Sequence, residues 1–418
     1  MTRPALGAAE WEAANGDFLA ASLAWLRLLL QRRRDPAEQP PSPPPSRTAA
    51  ENGPPLRTRR ARITPTRLPV RASISDDEIA NAAARVAHTE QCTPPPALVE
   101  LAARLGLSRF ERDILLLCAA LDLDPSVADL CARAHGNDHM RYPTFGLALE
   151  MLPDPAWDAV APRGGLRYWK LVEITQRSGE GLISAALRAD ERIVNYVKGL
   201  NDLDDRLSPV VTSLDSSAAA QLPDSQQVLA QRIEREWTLG PTGTPTVQLA
   251  GLDPAGKRLV AAHAARRCGL LAYRLPADLI PTQPTDLDNL ARLWERESAL
   301  LPVALYIDAE DIDDENAAAR TPISRFLTRI GGQCALAVRE SWSDVGRGSV
   351  VLDVEAPSAT ERAEAWQPRW PRAPDMGAID ALSAQFALQI CDIAEIALDV
   401  RRFRRRVARM PGADPPPP

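Results

Sequence analysis

The stretch TVQLAGLDPAGKRLVAAHAARRCG, residues 246–269, decides the fold. It opens with strand text, TVQLA, turns through GLDPAGKR from Gly251 to Arg258, and closes in helical text ending at Gly269. Gly251, Gly256 and Lys257 meet the pattern GxxxxGK in the strand–loop–helix setting that this pattern requires. In such a turn, backbone N–H groups and the helix N-terminus surround phosphate oxygens, while the lysine reaches the β- and γ-phosphates as a point charge. The residues placed at a nucleotide, ATP or ADP, are Gly251, Asp253, Ala255, Gly256, Lys257 and Arg258. The plain alternative, a glycine-containing turn with a surface lysine, stays open on the motif alone.

Downstream text lowers the weight of that alternative. LPVALYID, from Leu301 to Asp308, is a buried-type strand ending in a carboxylate, 51 residues beyond Lys257. Strand-like GLLAYRLP and helical TDLDNLARLWERESALL fill the interval, and QCALAVRE and SVVLDVEAP supply two further strands. Strand alternating with helix implies an α/β doubly wound parallel sheet over 223–357, with ligands at the carboxyl ends of the strands. Mainly helical text over 358–410 reads as a small lid, followed by a Pro-rich tail at 411–418.

Two positions depart from a hydrolysing site. The Ser or Thr that would hold Mg²⁺ after the lysine is Arg258, whose positive charge opposes the metal. Asp308 retains a carboxylate for Mg²⁺, but Ala309 follows it where a catalytic Glu is expected. Glu310 lies one position further, on the opposite face of a continuing strand, and serves as a base only if the strand ends before it. Impaired hydrolysis is the expectation.

Upstream, residues 1–34 hold an amphipathic helix in which Trp11, Phe18, Leu19, Leu23, Leu26, Leu29 and Leu30 recur at helical spacing. It docks either on a partner or on its own chain. Residues 35–72, rich in Pro and Arg, read as a linker. Over 73–205, Ser75 and Ser108 open helices with Glu three residues on, Gly106 ends one, and Pro125 starts another. The β-like RYWKLVEI that follows suggests a mainly α, winged-helix-like module. The helix from Ser108 to Leu121 balances Arg109 and Arg112 against Glu111 and Asp113, so a protein contact or packing is favoured over reading DNA. Residues 206–222 read as a second linker.

Composition agrees. A net charge of −6 argues against wholesale nucleic-acid binding, and no apolar run is long enough for a membrane span, so a cytoplasmic protein is expected. The six cysteines lack any CxxC pair and do not suggest a disulfide framework.

Several stretches resemble a known family. LGLSRFERDILLLCAALDLDPSVADLCA, YPTFGLAL, WKLVEI and LRADERIVNYVKG resemble the winged-helix-type N-terminal region of AAA+ ATPases encoded with phage-tail-like extracellular contractile injection systems. LARLWERESALLPVALYID, APSATERAEAW and LSAQFALQICDIAEIALD resemble the first, divergent ATPase module of the same proteins. The resemblance implies a role in assembling or remodelling an injection particle, with its components or another ATPase subunit as partners, and a hexamer-prone homo-oligomer. It also implies a second, intact ATPase module, which this text does not contain. Gly251, Gly256 and Lys257 match its phosphate-loop positions and Asp308 its Walker-B Asp, while Arg325 or Arg329 falls where an arginine finger would sit. Glu340 or Ser341 falls at a sensor position. A nucleotide-independent adaptor and a DNA-binding regulator are the competing readings.

Overall fold

The computed structural model describes residues 7–33, 74–214, 222–238, 244–313, 316–366 and a scatter between 381 and 402. Two compact units divide the chain, residues 1–200 and 201–418.

The first unit is helical. α1 (Ala8–Arg32) is followed by α2 (Asp76–Thr89), α3 (Ala97–Leu105), α4 (Arg109–Leu123), α5 (Ser126–His135), α6 (Phe145–Met151) and α7 (Gly165–Tyr168). β1 (Val172–Thr175) and β2 (Ala186–Ala189) then form an antiparallel pair, and α8 (Glu191–Val197) closes the unit. The capping signals act as read: Ser75 and Ser108 each complete a capping box with Glu78 and Glu111, and Gly106 ends α3 in the left-handed region at φ 66°.

α1 is an integral layer of this unit. Phe18, Leu19, Trp25, Leu26 and Leu30 are buried, and Asn15 donates to Val197 O at 3.0 Å while accepting from Ala97 N at 2.9 Å. Of the two dockings open in the sequence, the structure shows the intramolecular one. α4 is the core helix: every residue from Asp113 to Ala120 is buried, so its apolar sequence reflects packing on all sides.

The second unit is α/β. It contains β3 (Thr212–Ser213), α9 (Asp224–Thr238), β4 (Thr246–Ala250), α10 (Pro254–Arg267), β5 (Leu271–Pro276) and α11 (Pro284–Leu300). β6 (Val303–Asp308), α12 (Ala317–Leu327), β7 (Gln333–Val338), β8 (Ser349–Asp353) and α13 (Ala359–Trp366) follow. The sheet order is β3-β5-β6-β7-β4-β8; β3 runs antiparallel to β5 and the other neighbours are parallel. The sheet is therefore mixed and mostly parallel. β4 is fully buried between β7 and β8, which sets the turn after it at the carboxyl edge of the sheet.

Of the linker expected over 206–222, the described residues 206–214 differ from that reading. Leu207 is buried, Thr212 and Ser213 form the edge strand, and Asp204 just before them is buried against the guanidinium of Arg296 on α11. A buried ion pair spanning 92 residues ties the chain just before this segment to α11, and local composition carries no sign of it. Only part of the lid region is described, α13 and the scatter beyond it; the linker at 35–72 and the tail at 411–418 lie outside the described residues.

Candidate functional site

The turn between β4 and α10 carries the sequence's strongest chemical signal, and each of its motif residues has an internal partner. Gly251 sits at φ 132°, and a Cβ there would meet Val354 O at 2.4 Å. Val354 N donates to Ala250 O at 2.7 Å, so the chain leaving β8 lies directly against the turn. Only glycine fits that approach.

Asp253 caps α10. Its Oδ1 accepts from Gly256 N at 2.9 Å, and Pro254 follows at the first helical position, where its missing N–H costs nothing to the helix. For an anion the same two residues are unfavourable. One N–H of the turn is absent, another is held by a carboxylate, and that carboxylate is buried. A Cβ on Gly256 would fall 2.3 Å from Asp253 Oδ2 and 2.8 Å from Gln226 Nε2, so this glycine admits the chain's own capping group. Ala255 follows Pro254 in the first turn of α10, and Leu252 at the tip is 86% exposed.

Lys257 is 0% exposed. Its ammonium donates to Gly251 O at 2.6 Å, to Val338 O at 2.7 Å and to Glu310 Oε2 at 2.8 Å, with Glu310 Oε1 at 2.6 Å. An ammonium has three donors, and here three internal acceptors take them. Glu310 reaches this position because β6 ends at Asp308: Ala309 N still bonds to Ala337 O, and the chain then turns, with Ile312 N on Ala309 O. The condition for Glu310 to leave the strand is met, but its carboxylate is directed at the lysine.

Asp308 is enclosed by cations. Arg274 of β5 donates to its Oδ2 through Nε at 2.8 Å and lies at 2.8 Å through Nη2, and Arg258 Nε stands 3.9 Å away. Neighbouring Tyr306 is buried beside Arg258, and burial, with the carboxylates of Asp308 and Glu310, pushes its hydroxyl pKa far up. Two guanidiniums at one carboxylate oppose a dication, so the residues present do not fit Mg²⁺. They do not fit a polyphosphate in this geometry either. Lys257, Arg258 and Arg274 are balanced by Asp253, Asp308 and Glu310, which leaves no excess positive charge for three or four phosphate charges.

Arg274 escaped the sequence reading. The signal was a lone arginine inside buried-type strand text, paired in register with Tyr306 two residues before Asp308. The finger candidates stand apart from one another in role: Arg325 is exposed on α12, and Arg329, just past its end, lies 3.7 Å from Asp288. Glu340 and Ser341 are exposed in the turn after β7. Among the described residues no group of His, Cys, Asp and Glu is arranged to hold a metal, and no helix is long and apolar enough to cross a membrane.

Residues 13–211 match the family model of the winged helix domain, variant. The match begins within α1 and ends just before β3, and agrees with a helical unit that carries one antiparallel strand pair ahead of its last helix. Comparison with curated proteins finds no match. The α/β unit is thus characterised by its fold and by the geometry around Lys257.

Proposed function

We propose that the chain is a non-catalytic adaptor in which a winged helix unit and an α/β unit of AAA+ ancestry serve as binding surfaces, without using nucleotide. One observation carries this reading: the ammonium of Lys257 is wholly enclosed and bonded to Gly251 O, Val338 O and Glu310. A phosphate would have to displace a buried carboxylate and would meet a second, Asp253, on the Gly256 N–H. Hydrolysis is further disfavoured because Arg258 and Arg274 hold Asp308 where a metal would be needed.

The resemblance read in the sequence suggests the setting, the assembly or remodelling of a contractile injection particle alongside an ATPase subunit that carries the chemistry. A nucleotide-binding subunit is the second reading. The strand–loop–helix turn at the carboxyl edge of the buried central strand favours it. Calorimetric titration with ATP and ADP, with and without Mg²⁺, on the intact chain and on Lys257→Ala separates the two. The adaptor reading expects no binding up to millimolar nucleotide. Micromolar binding abolished by Lys257→Ala would overturn it.

A further inference from the structure

The two edges of the α/β sheet are built differently. At one end β3 consists of Thr212 and Ser213 alone, and a strand that short offers almost no template for pairing. At the other end β8 presents Ser349-Val350-Val351-Leu352-Asp353, and among the described residues no strand lies on its outer side. Its valines favour strand pairing, and it carries neither the lysine nor the proline that commonly protects an edge.

The ladder with β4 shows which groups face outward. Thr246 N donates to Gly348 O at 2.9 Å and Val354 N donates to Ala250 O at 2.7 Å, so the even-numbered residues here bond to β4. By the alternation of a strand, Ser349, Val351 and Asp353 turn their N–H and C=O groups away from the sheet. All three residues are exposed, Val351 by 40%, whereas Leu352 on the opposite face is buried. Ser349 Oγ accepts from Gln248 Nε2 at 3.0 Å, which leaves its hydroxyl hydrogen to give. Asp353, at the far end of the strand, offers an exposed carboxylate to take it.

We propose that β8 is an interface between two copies of this chain, paired edge to edge and antiparallel about a two-fold axis through Val351. That register sets Val351 against the partner's Val351 and Ser349 against the partner's Asp353. All three outward residues then stand in facing pairs, each pair exchanging two N–H···O bonds. Across each Ser–Asp pair the hydroxyl donates to the carboxylate, while the two aspartates stay about 14 Å apart along the strands.

Other registers lose on these terms. An axis at Leu352 leaves two facing pairs within the strands and brings the aspartates to about 7–8 Å of each other. An axis at Val350 also leaves two pairs, and turns Asp353 toward the partner's Arg347; in this chain the Arg347 guanidinium is already committed to Thr246 Oγ1 and Ile330 O. Pairing of β8 with the opposite edge of a second sheet has only the two residues of β3 to meet, so the contact closes on itself as a dimer. This pairing is independent of what the Lys257 turn binds.

Sedimentation velocity on the intact chain from micromolar to millimolar concentration, with Val351→Pro alongside, tests the interface. The variant should keep its fold, because the Val351 N–H takes no part in the β4 ladder. The unsubstituted chain should show a monomer–dimer equilibrium, roughly tenfold weaker in the variant, which loses both bonds at the axis. A chain that stays monomeric at millimolar concentration, or a dimer that Val351→Pro leaves unchanged, would overturn the proposal. Should the variant fail to fold, hydrogen exchange on the unsubstituted chain decides. The amides of Ser349, Val351 and Asp353 should gain protection as the concentration rises, and exchange independent of concentration at all three would overturn the pairing.

Discussion

Replacing Lys257 with Met keeps the aliphatic stem in its buried slot and removes only the ammonium. The substitution leaves Glu310 with its charge enclosed and unpaired, and it strips a donor from Gly251 O and Val338 O. Removing one partner of a buried ion pair costs about 3–5 kcal/mol, chiefly through the charge left behind. The two carbonyls would add about 1–3 kcal/mol each if nothing replaced the lysine, but such losses share one site and do not sum. A loss of about 4 kcal/mol is therefore expected in the α/β unit. Two compact units make a single global transition a poor readout, so native-state hydrogen exchange at Val247, Leu249 and Ala337 in β4 and β7 is the assay. The double variant Lys257→Met/Glu310→Gln should recover about half of the loss, because no charge remains buried. A loss under about 1 kcal/mol in the single variant would refute the reasoning, since it would mean that the lysine is idle in the fold and kept for a ligand.

Other consequences are independent of that one. Gly251→Ala forces a Cβ to within 2.4 Å of Val354 O at a φ of 132°, and should cost at least about 3 kcal/mol in thermal or chemical unfolding of the same unit. Asp253→Ala removes the cap of α10 at a cost of about 1 kcal/mol, whereas Asp253→Ser, which still caps, should cost less than half as much by the same measurement. Arg296→Met strands buried Asp204 with Arg206 alone, and should raise amide exchange at Thr212 and Ser213 ahead of the rest of the sheet. For Asp113, burial pushes the carboxyl pKa in the folded chain up to about 6, above the ordinary 3.8. Its contribution is therefore full below pH 3.8 and lost as the pH rises through 6, a change of roughly 2–3 kcal/mol that Asp113→Asn should abolish in urea titrations of the helical unit.

Much of the architecture was legible because it is written locally. Strand text alternating with amphipathic helix gave the order from β4 to β8, and the serine–glutamate spacings gave the starts of α2 and α4. The site was legible in position but not in state. Asp253-Pro254 ahead of a helix is an N-cap followed by an N1 proline, a signal present in the text yet masked by the surrounding GxxxxGK pattern. The Lys257–Glu310 pair joins residues 53 apart and depends on β6 ending at Asp308, which no local rule specifies. The same holds for Asp204 and Arg296: low-complexity text after residue 206 suggested a linker, while the group that holds the chain beside it lies on α11. α1 left its docking open in the sequence because an apolar stripe is the same whether it covers its own chain or a partner. Asn15, bridging Val197 and Ala97, decides it.

The central claim is that Asp253 and Glu310 occupy, from within, the places a polyphosphate would take. Calorimetric titration of ATP into the unsubstituted chain and into Asp253→Ser/Glu310→Gln, side by side, tests it most directly. The account predicts no heat of binding for the first and submillimolar affinity for the second, whose loop keeps Lys257 but has lost both competing carboxylates. Micromolar binding by the unsubstituted chain, unchanged in the double variant, would contradict it.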